Sequence, residues 1–160
     1  MTRVETADRP TIRQATPDDF PGISLMQQTW EQEQITHGQT ATDMAGLRDQ
    51  LNEYFLVAEL EGQLVGMVAA SVHVSEGMAV IPAGERYLAI NDLYVCSAWR
   101  AQGIGRRLLD AVLARAEAQG LQYQLVYSAT KDLRRIMRFY ESCGFESWYV
   151  QLYRRTPRKA

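Results

Sequence analysis

From Tyr54 to Val95 the chain is written in period two. YFLVAEL and QLVGMVAASVHV alternate on either side of Glu61-Gly62, and Tyr87–Val95 alternates again after SEGMAVIPAGE, a loop holding two Gly and a Pro. An acid–Gly pair between two alternating stretches specifies a tight β-hairpin. Gly66, inside the second of these strands, marks a bulge or a close approach of backbone. The period then changes to that of a helix: Ile104, Leu108, Leu109, Val112, Leu113 and Ala116 share one stripe, and Gly120 stops it. LQYQLVYS returns to a strand.

The flanks complete the pattern. Residues 1–10 read as a flexible lead-in closed by Pro10, and Thr11–Ala15 as a short strand. Thr16-Pro17-Asp18-Asp19 has the chemistry of a helix start, with a cap, a proline in the first turn and acids facing the helix dipole. Phe20, Ile23, Leu25, Met26 and Trp30 carry that helix to about Glu31, residues 32–41 form a loop, and a second helix covers Thr42 to about Glu53. Asp132 caps a last helix ending at Cys143-Gly144, and Phe145–Tyr153 reads as a final strand before a basic tail at 156–160. The order βααβββαβαβ makes an α/β fold, a mixed sheet with helices against it, in one domain over residues 11–155. At 160 residues the chain is long enough to bury roughly 70% of its unfolded surface.

Composition removes several classes of chemistry. No apolar run approaches the ~20 residues of a membrane span, and MTRVETADRP lacks the apolar stretch of a secretory signal, so the expected location is cytoplasmic. Cys96 and Cys143 stand far apart and are expected to pack as small core hydrophobes. With His37 and His73 the only histidines, neither a metal site nor a histidine-centred triad is expected. The net charge of −2 conceals a split: residues 17–62 carry a net −8 and residues 121–160 a net +5. One end of the molecule favours a cation and the other an anion.

The most informative segment is Leu93-Tyr-Val-Cys-Ser-Ala-Trp-Arg-Ala-Gln-Gly-Ile-Gly-Arg-Arg-Leu-Leu109: strand, short loop, glycine pair, long helix. Gly103 and Gly105 let backbone approach a ligand, and the free amides of a first helical turn attract an anion, most often phosphate. A P-loop would need Lys followed by Ser or Thr where Arg106-Arg107 stand. A dinucleotide fingerprint would need a third glycine where Leu108 stands, and a βαβ unit upstream in place of the hairpin.

What remains is RxxGxG, Arg100 to Gly105, and with it the chain resembles the GNAT family of N-acetyltransferases. FYESCGF, Phe139 to Phe145, and the order of elements from about Thr11 to Tyr153 extend the likeness. The resemblance implies a mostly antiparallel sheet flanked by about four helices, with acetyl-CoA as co-substrate. Backbone groups of Leu93, Tyr94 and Val95 would pair with its pantetheine arm as an added strand does. Gln102, Gly103, Ile104, Gly105 and Arg106 would hold the pyrophosphate, Arg100 shaping the loop. Tyr140 matches the family's acid, which protonates the departing thiolate. Where many relatives carry a Glu base, this chain has Asn91 beside Asp92. Alternation puts those two on opposite faces, so one at most looks toward the substrate. Leu133 replaces an Asn that often contacts the cofactor arm.

The expected function is transfer of acetyl to a primary amine by direct attack. Acids at 31–53, among them Glu31, Glu33 and Asp43, with His37 beside them, would suit a small basic acceptor. The expected partners are that acceptor and a second copy in a homodimer, with no nucleic acid and no membrane. The alternative is a catalytically weak, acyl-CoA-binding regulatory module of the same fold, favoured by Asn91 and Leu133.

Overall fold

A computed structural model describes residues 9–158. Five strands lie in the order β1 (Thr11–Gln14), β2 (Leu56–Leu60), β3 (Gln63–Val74), β4 (Arg86–Val95) and β5 (Tyr123–Val126). All neighbours are antiparallel except β4 and β5, which are parallel. Four helices complete the fold: α1 (Phe20–Glu33), α2 (Met44–Gln50), α3 (Ile104–Ala118) and α4 (Leu133–Ser142). The expected mixed, mostly antiparallel sheet with about four helices is what forms.

Glu61 and Gly62 both take left-handed φ, 49° and 78°, the type I′ geometry that matches strand twist. α2 is shorter than the sequence indicates because Asp43, not Thr42, caps it, accepting from the Gly46 amide at 2.8 Å. Phe145–Tyr153 forms no strand among the described residues. Trp148, Tyr149 and Val150 stand side by side and exposed, so the segment has no polar face to alternate with an apolar one, and β5 is a rail of only four residues. Of the expected lead-in, residues 1–8 lie outside the described residues. Pro10 at its end is held, its carbonyl accepting from Arg107 Nη2 at 2.7 Å. Of the basic tail, residues 156–158 are exposed and 159–160 lie outside the described residues.

The sheet is covered on both faces. α3 packs Leu108, Leu109 and Val112 onto Leu56, Val68, Leu88 and Ile90. α1 and α2 pack Phe20, Ile23, Trp30 and Leu47 onto Val57, Met67 and Tyr94 on the other face. Gly66 fulfils both expectations placed on it. A Cβ there would meet Tyr94 O at 3.0 Å and Leu108 Cδ1 at 3.1 Å, so α3 lies on bare backbone, and the β2–β3 register shifts beside it.

A second bulge, in β4, changes what the sheet presents. Ala69 pairs with Asp92 and Ala70 with Ile90, leaving Asn91 as the extra residue. Leu88 and Ile90 face the α3 side, and after the bulge so do Leu93 and Val95, while Tyr94 and Cys96 face α1. Asp92 is thereby turned to the α1 face. Asn91 lies on that face as well, donating from Nδ2 to Ser71 Oγ at 3.0 Å. The expectation of opposite faces is overturned, because one inserted residue cancels the alternation.

Asp19 joins the start of α1 to the sheet edge. It takes a bidentate pair from Arg13 on β1, at 2.7 and 2.8 Å, and the Thr16 amide at 2.8 Å. The Arg13 guanidinium holds its carboxyl below the usual carboxylate range. A depressed folded-state value means stability that is present above the unfolded value and lost as pH falls toward the folded one. Asp19→Asn should therefore cost about 2 kcal/mol at neutral pH. Urea unfolding should show the variant converging on wild type as pH drops below about 4; a constant gap between the two curves would exclude this role.

Candidate active site

The ladder between β4 and β5 ends at Ile90–Val126. Beyond it the two chains part, and the β5-facing backbone of Asn91 to Val95 has no strand partner among the described residues. A cleft of about 950 Å³ opens there. Residues 35–37 cross to the far wall: His37 N donates to Ala129 O and Lys131 N to Ile35 O, both at 2.8 Å, around a Thr36–Thr130 bridge. Nothing in residues 32–41 announced this crossing, since a single bridge carries no periodicity.

The glycine loop forms the cleft's other end. Ala101 and Gly103 take left-handed φ, 62° and 79°, and the chain then enters α3. The first helical bond is Arg107 N to Gly103 O at 3.1 Å, so the amides of Ile104, Gly105 and Arg106 are free of intrahelical acceptors. A Cβ on Gly103 would meet nothing within 4 Å, the backbone there facing open space. Amides converging on a helix N-terminus beside an unpaired strand edge fit a diphosphate carrying an extended amide arm.

Arg100 faces inward. Its Nε donates to Val95 O at 2.9 Å and its Nη2 reaches Glu33 Oε2 at 2.8 Å, while the guanidinium lies 5.5 Å from the Tyr94 ring centre. Tyr94 hydrogen-bonds Glu33 and stacks on Trp30 at 5.0 Å. Arg100 thus ties the end of β4 to the end of α1. Leu93 and Val95 turn their side chains to the α3 core, leaving their backbone to the cleft. Cys96 and Cys143 are half-buried and pack on the two cores, as expected.

Tyr140 lines the same cleft from α4, edge-on between Phe139 and Phe145 at 5.1 and 5.6 Å. Its hydroxyl makes no hydrogen bond within the described residues. Burial pushes its pKa up to about 12, so it stays protonated and able to donate at neutral pH. Asp92, also lining the cleft, has its carboxyl pushed up by burial and no ion-pair partner among the described residues. Asp132, the cleft's other acid, caps α4 on the Arg135 amide. The acids picked out by the charge split are otherwise engaged: Glu31 accepts from Ala41 N at 3.0 Å, Glu33 holds Arg100, and Asp43 caps α2. Gln102 is exposed between Ala101 and Gly103 and is not among the residues that line the cleft. Arg106 contacts Asp110 and Ser142 O across α3 and α4.

The fold and this cleft suit a protein that takes an extended ligand ending in a diphosphate. The profile of the Acetyltransferase (GNAT) family matches residues 11–145, and the chain belongs to that family, whose co-substrate is acetyl-CoA. It is 28% identical over 158 residues to the aminoglycoside N(6')-acetyltransferase type 1 of Stenotrophomonas maltophilia, covering 94% of this chain and 95% of that one. It is 36% identical over 102 residues to the mycothiol acetyltransferase of Thermobispora bispora, 63% of this chain but 33% of that protein, so it spans about a third of that relative. Among solved structures, the aminoglycoside acetyltransferase meta-AAC0020 from an uncultured soil metagenomic sample, in complex with trehalose, shares the fold. Its TM-score is 0.70 at 23% identity, covering 97% of this chain and 100% of that one.

Gly103→Leu should leave the fold standing, with a penalty of roughly 1–2 kcal/mol for a side chain at left-handed φ. Calorimetric affinity for coenzyme A should fall at least tenfold. Unchanged affinity would remove the loop from the site.

Proposed function

We propose that this chain transfers the acetyl group of acetyl-CoA to a primary amine by direct attack, with no acyl-enzyme intermediate. The observation that carries the proposal is the unpaired β4 edge running into free helix-start amides, with Tyr140 and Asp92 lining the same cleft. In this reading the backbone of Leu93, Tyr94 and Val95 receives the pantetheine arm. The loop from Gln102 through Gly103, Ile104, Gly105 and Arg106 receives the diphosphate, with Arg100 fixing the loop's position. The amine nitrogen bonds to the thioester carbon, the carbon–sulfur bond breaks, Tyr140 supplies the proton that the departing thiolate takes up, and the surplus proton on the acylated nitrogen restores the Tyr140 hydroxyl.

Asn91 and Asp92 mark the amine end, both on the α1 face. A cationic amine fits there because Asp92 is the cleft carboxylate with no partner among the described residues. The relative whose chain matches nearly end to end is named for an aminoglycoside, a polycationic amine, which supports a small basic acceptor. The same proposal takes the acceptor to be a small molecule and not a nucleic acid or a membrane, and the chain to be cytoplasmic. No helix among the described residues is long and apolar enough to cross a membrane. Trp148, Tyr149, Val150 and Leu152, exposed beyond α4, support a homodimer.

Two measurements test the core of this. Thiol release with a panel of amines should favour basic acceptors, and uncharged or acidic amines turning over faster would overturn the acceptor class. Tyr140→Phe should lower kcat about 100-fold while leaving the Kd of acetyl-CoA within twofold. Wild-type turnover in that variant would cancel the acid role.

A further inference from the structure

A primary ammonium must lose a proton before it can attack, and a free amine of this kind resembles Lys, mostly charged at neutral pH. Resting on the acetyl-transfer reading above, we infer that Ser71 and His73 form the relay that takes this proton, with His73 as its terminal acceptor. Both side chains lie on the α1 face of β3, two residues apart, opposite Ala89 and Tyr87. Ser71 Oγ stands 2.8 Å from His73 Nε2 and accepts Asn91 Nδ2–H at 3.0 Å. The row therefore begins at the β4 bulge, where Asn91 lines the cleft, and ends on an imidazole open to solvent.

The relay needs one direction of this contact. A hydroxyl has one hydrogen and two lone pairs. With one lone pair held by the Asn91 amide, the relay requires the imidazole to carry its hydrogen on Nδ1, so that the Ser71 hydrogen is donated to His73 Nε2. The second lone pair is left for a proton arriving from the amine side. In the step itself the ammonium N–H bond breaks and a new Ser71 O–H bond forms. The original hydroxyl hydrogen passes to Nε2, and the amine lone pair is freed for attack. The imidazolium then loses its proton to water, so charge and atoms balance with no other reactant. Tyr87 serves the charged state: its ring stacks on the imidazole at 5.6 Å and 28°, a face that favours a cation. Glu76 lines the same hollow as His73 and Tyr87, and Asp92 lies beyond Asn91 on the same face.

The full chain is assayed with acetyl-CoA and kanamycin, then with the best amine of the panel. His73→Gln, at an exposed position that does not threaten folding, should lower kcat/KM about 100-fold with the Kd of acetyl-CoA unchanged. His73→Gly should lose as much and recover on addition of free imidazole, a response a merely structural role would not give. Ser71→Ala should show the same loss without that recovery. Nitrogen NMR of the wild-type imidazole should show hydrogen on Nδ1. An Nε2–H form, or full activity in His73→Gln, overturns the relay while leaving acetyl transfer intact. So does a loss of kcat in Asp92→Asn that His73→Gln does not share, since the base is then Asp92. Wild-type enzyme that binds acetyl-CoA yet releases no thiol with any amine overturns the acetyl-transfer reading itself, and the relay with it.

Discussion

The parting of β4 from β5 after Ile90 and Val126 is the constraint on which the rest of the molecule depends. A parallel ladder that continued would satisfy its own backbone and leave no site. The ladder stops because β5 is short and the chain after it crosses to meet residues 35–37, around the Thr36–Thr130 bridge. β4 meanwhile is held on its other edge by the long pairing with β3, so its free edge stays extended and rigid. An exposed edge is ordinarily a liability, a template for unwanted pairing. Here the edge lies in a cleft walled by the crossing segment, where an extended ligand can use the same hydrogen bonds that a strand would.

A second constraint brings the helix N-terminus to that edge. Gly66 lets α3 rest on the β3 backbone, which fixes how near the start of α3 stands to the end of β4. Arg100 then closes the short loop by bonding Val95 O and the Glu33 carboxylate. Glu33 is the last residue of α1, where the helix dipole disfavours an acid. That unfavourable placement is offset by Arg100 and by the Tyr94 hydroxyl. The result ties three separate segments, α1, β4 and the glycine loop, into one packed group of Trp30, Tyr94, Arg100 and Glu33.

Much of this was legible in the residues. The hairpin at Glu61-Gly62, the α3 stripe and the RxxGxG junction follow from local period and from glycine stereochemistry, which need no knowledge of the partner. The β4 bulge was not legible: Asn91-Asp92 looks like two steps of an alternating strand, and only the pairing with Ala69 and Ala70 shows an inserted residue. The Ser71–His73 contact lay hidden in plain alternation, since two polar residues at spacing two on a strand look like a solvated face. The acids at 31–53 are the opposite case. Their charge is visible in sequence, but that Glu31 accepts from Ala41 N, Glu33 pairs with Arg100 and Asp43 caps α2 is a tertiary property. The final strand failed because a strand is made by its partner as much as by its own residues.

The bulge also sets the electrostatics around Asp92. Without the inserted residue, Asp92 would point into the α3 core, where an unpaired carboxylate has no compensating partner. With it, Asp92 looks along the α1 face, still buried enough that its carboxyl is pushed up, yet reachable from the cleft. A cation arriving there gains more than it would in water, because the same desolvation that penalises a lone carboxylate strengthens its attraction to an opposite charge. Lys131 and Arg135 line the same cleft, and Asp132 between them is engaged as the cap of α4. In the reading proposed above, a polyanionic donor and a cationic acceptor occupy this cleft together and meet where the unpaired edge of β4 begins.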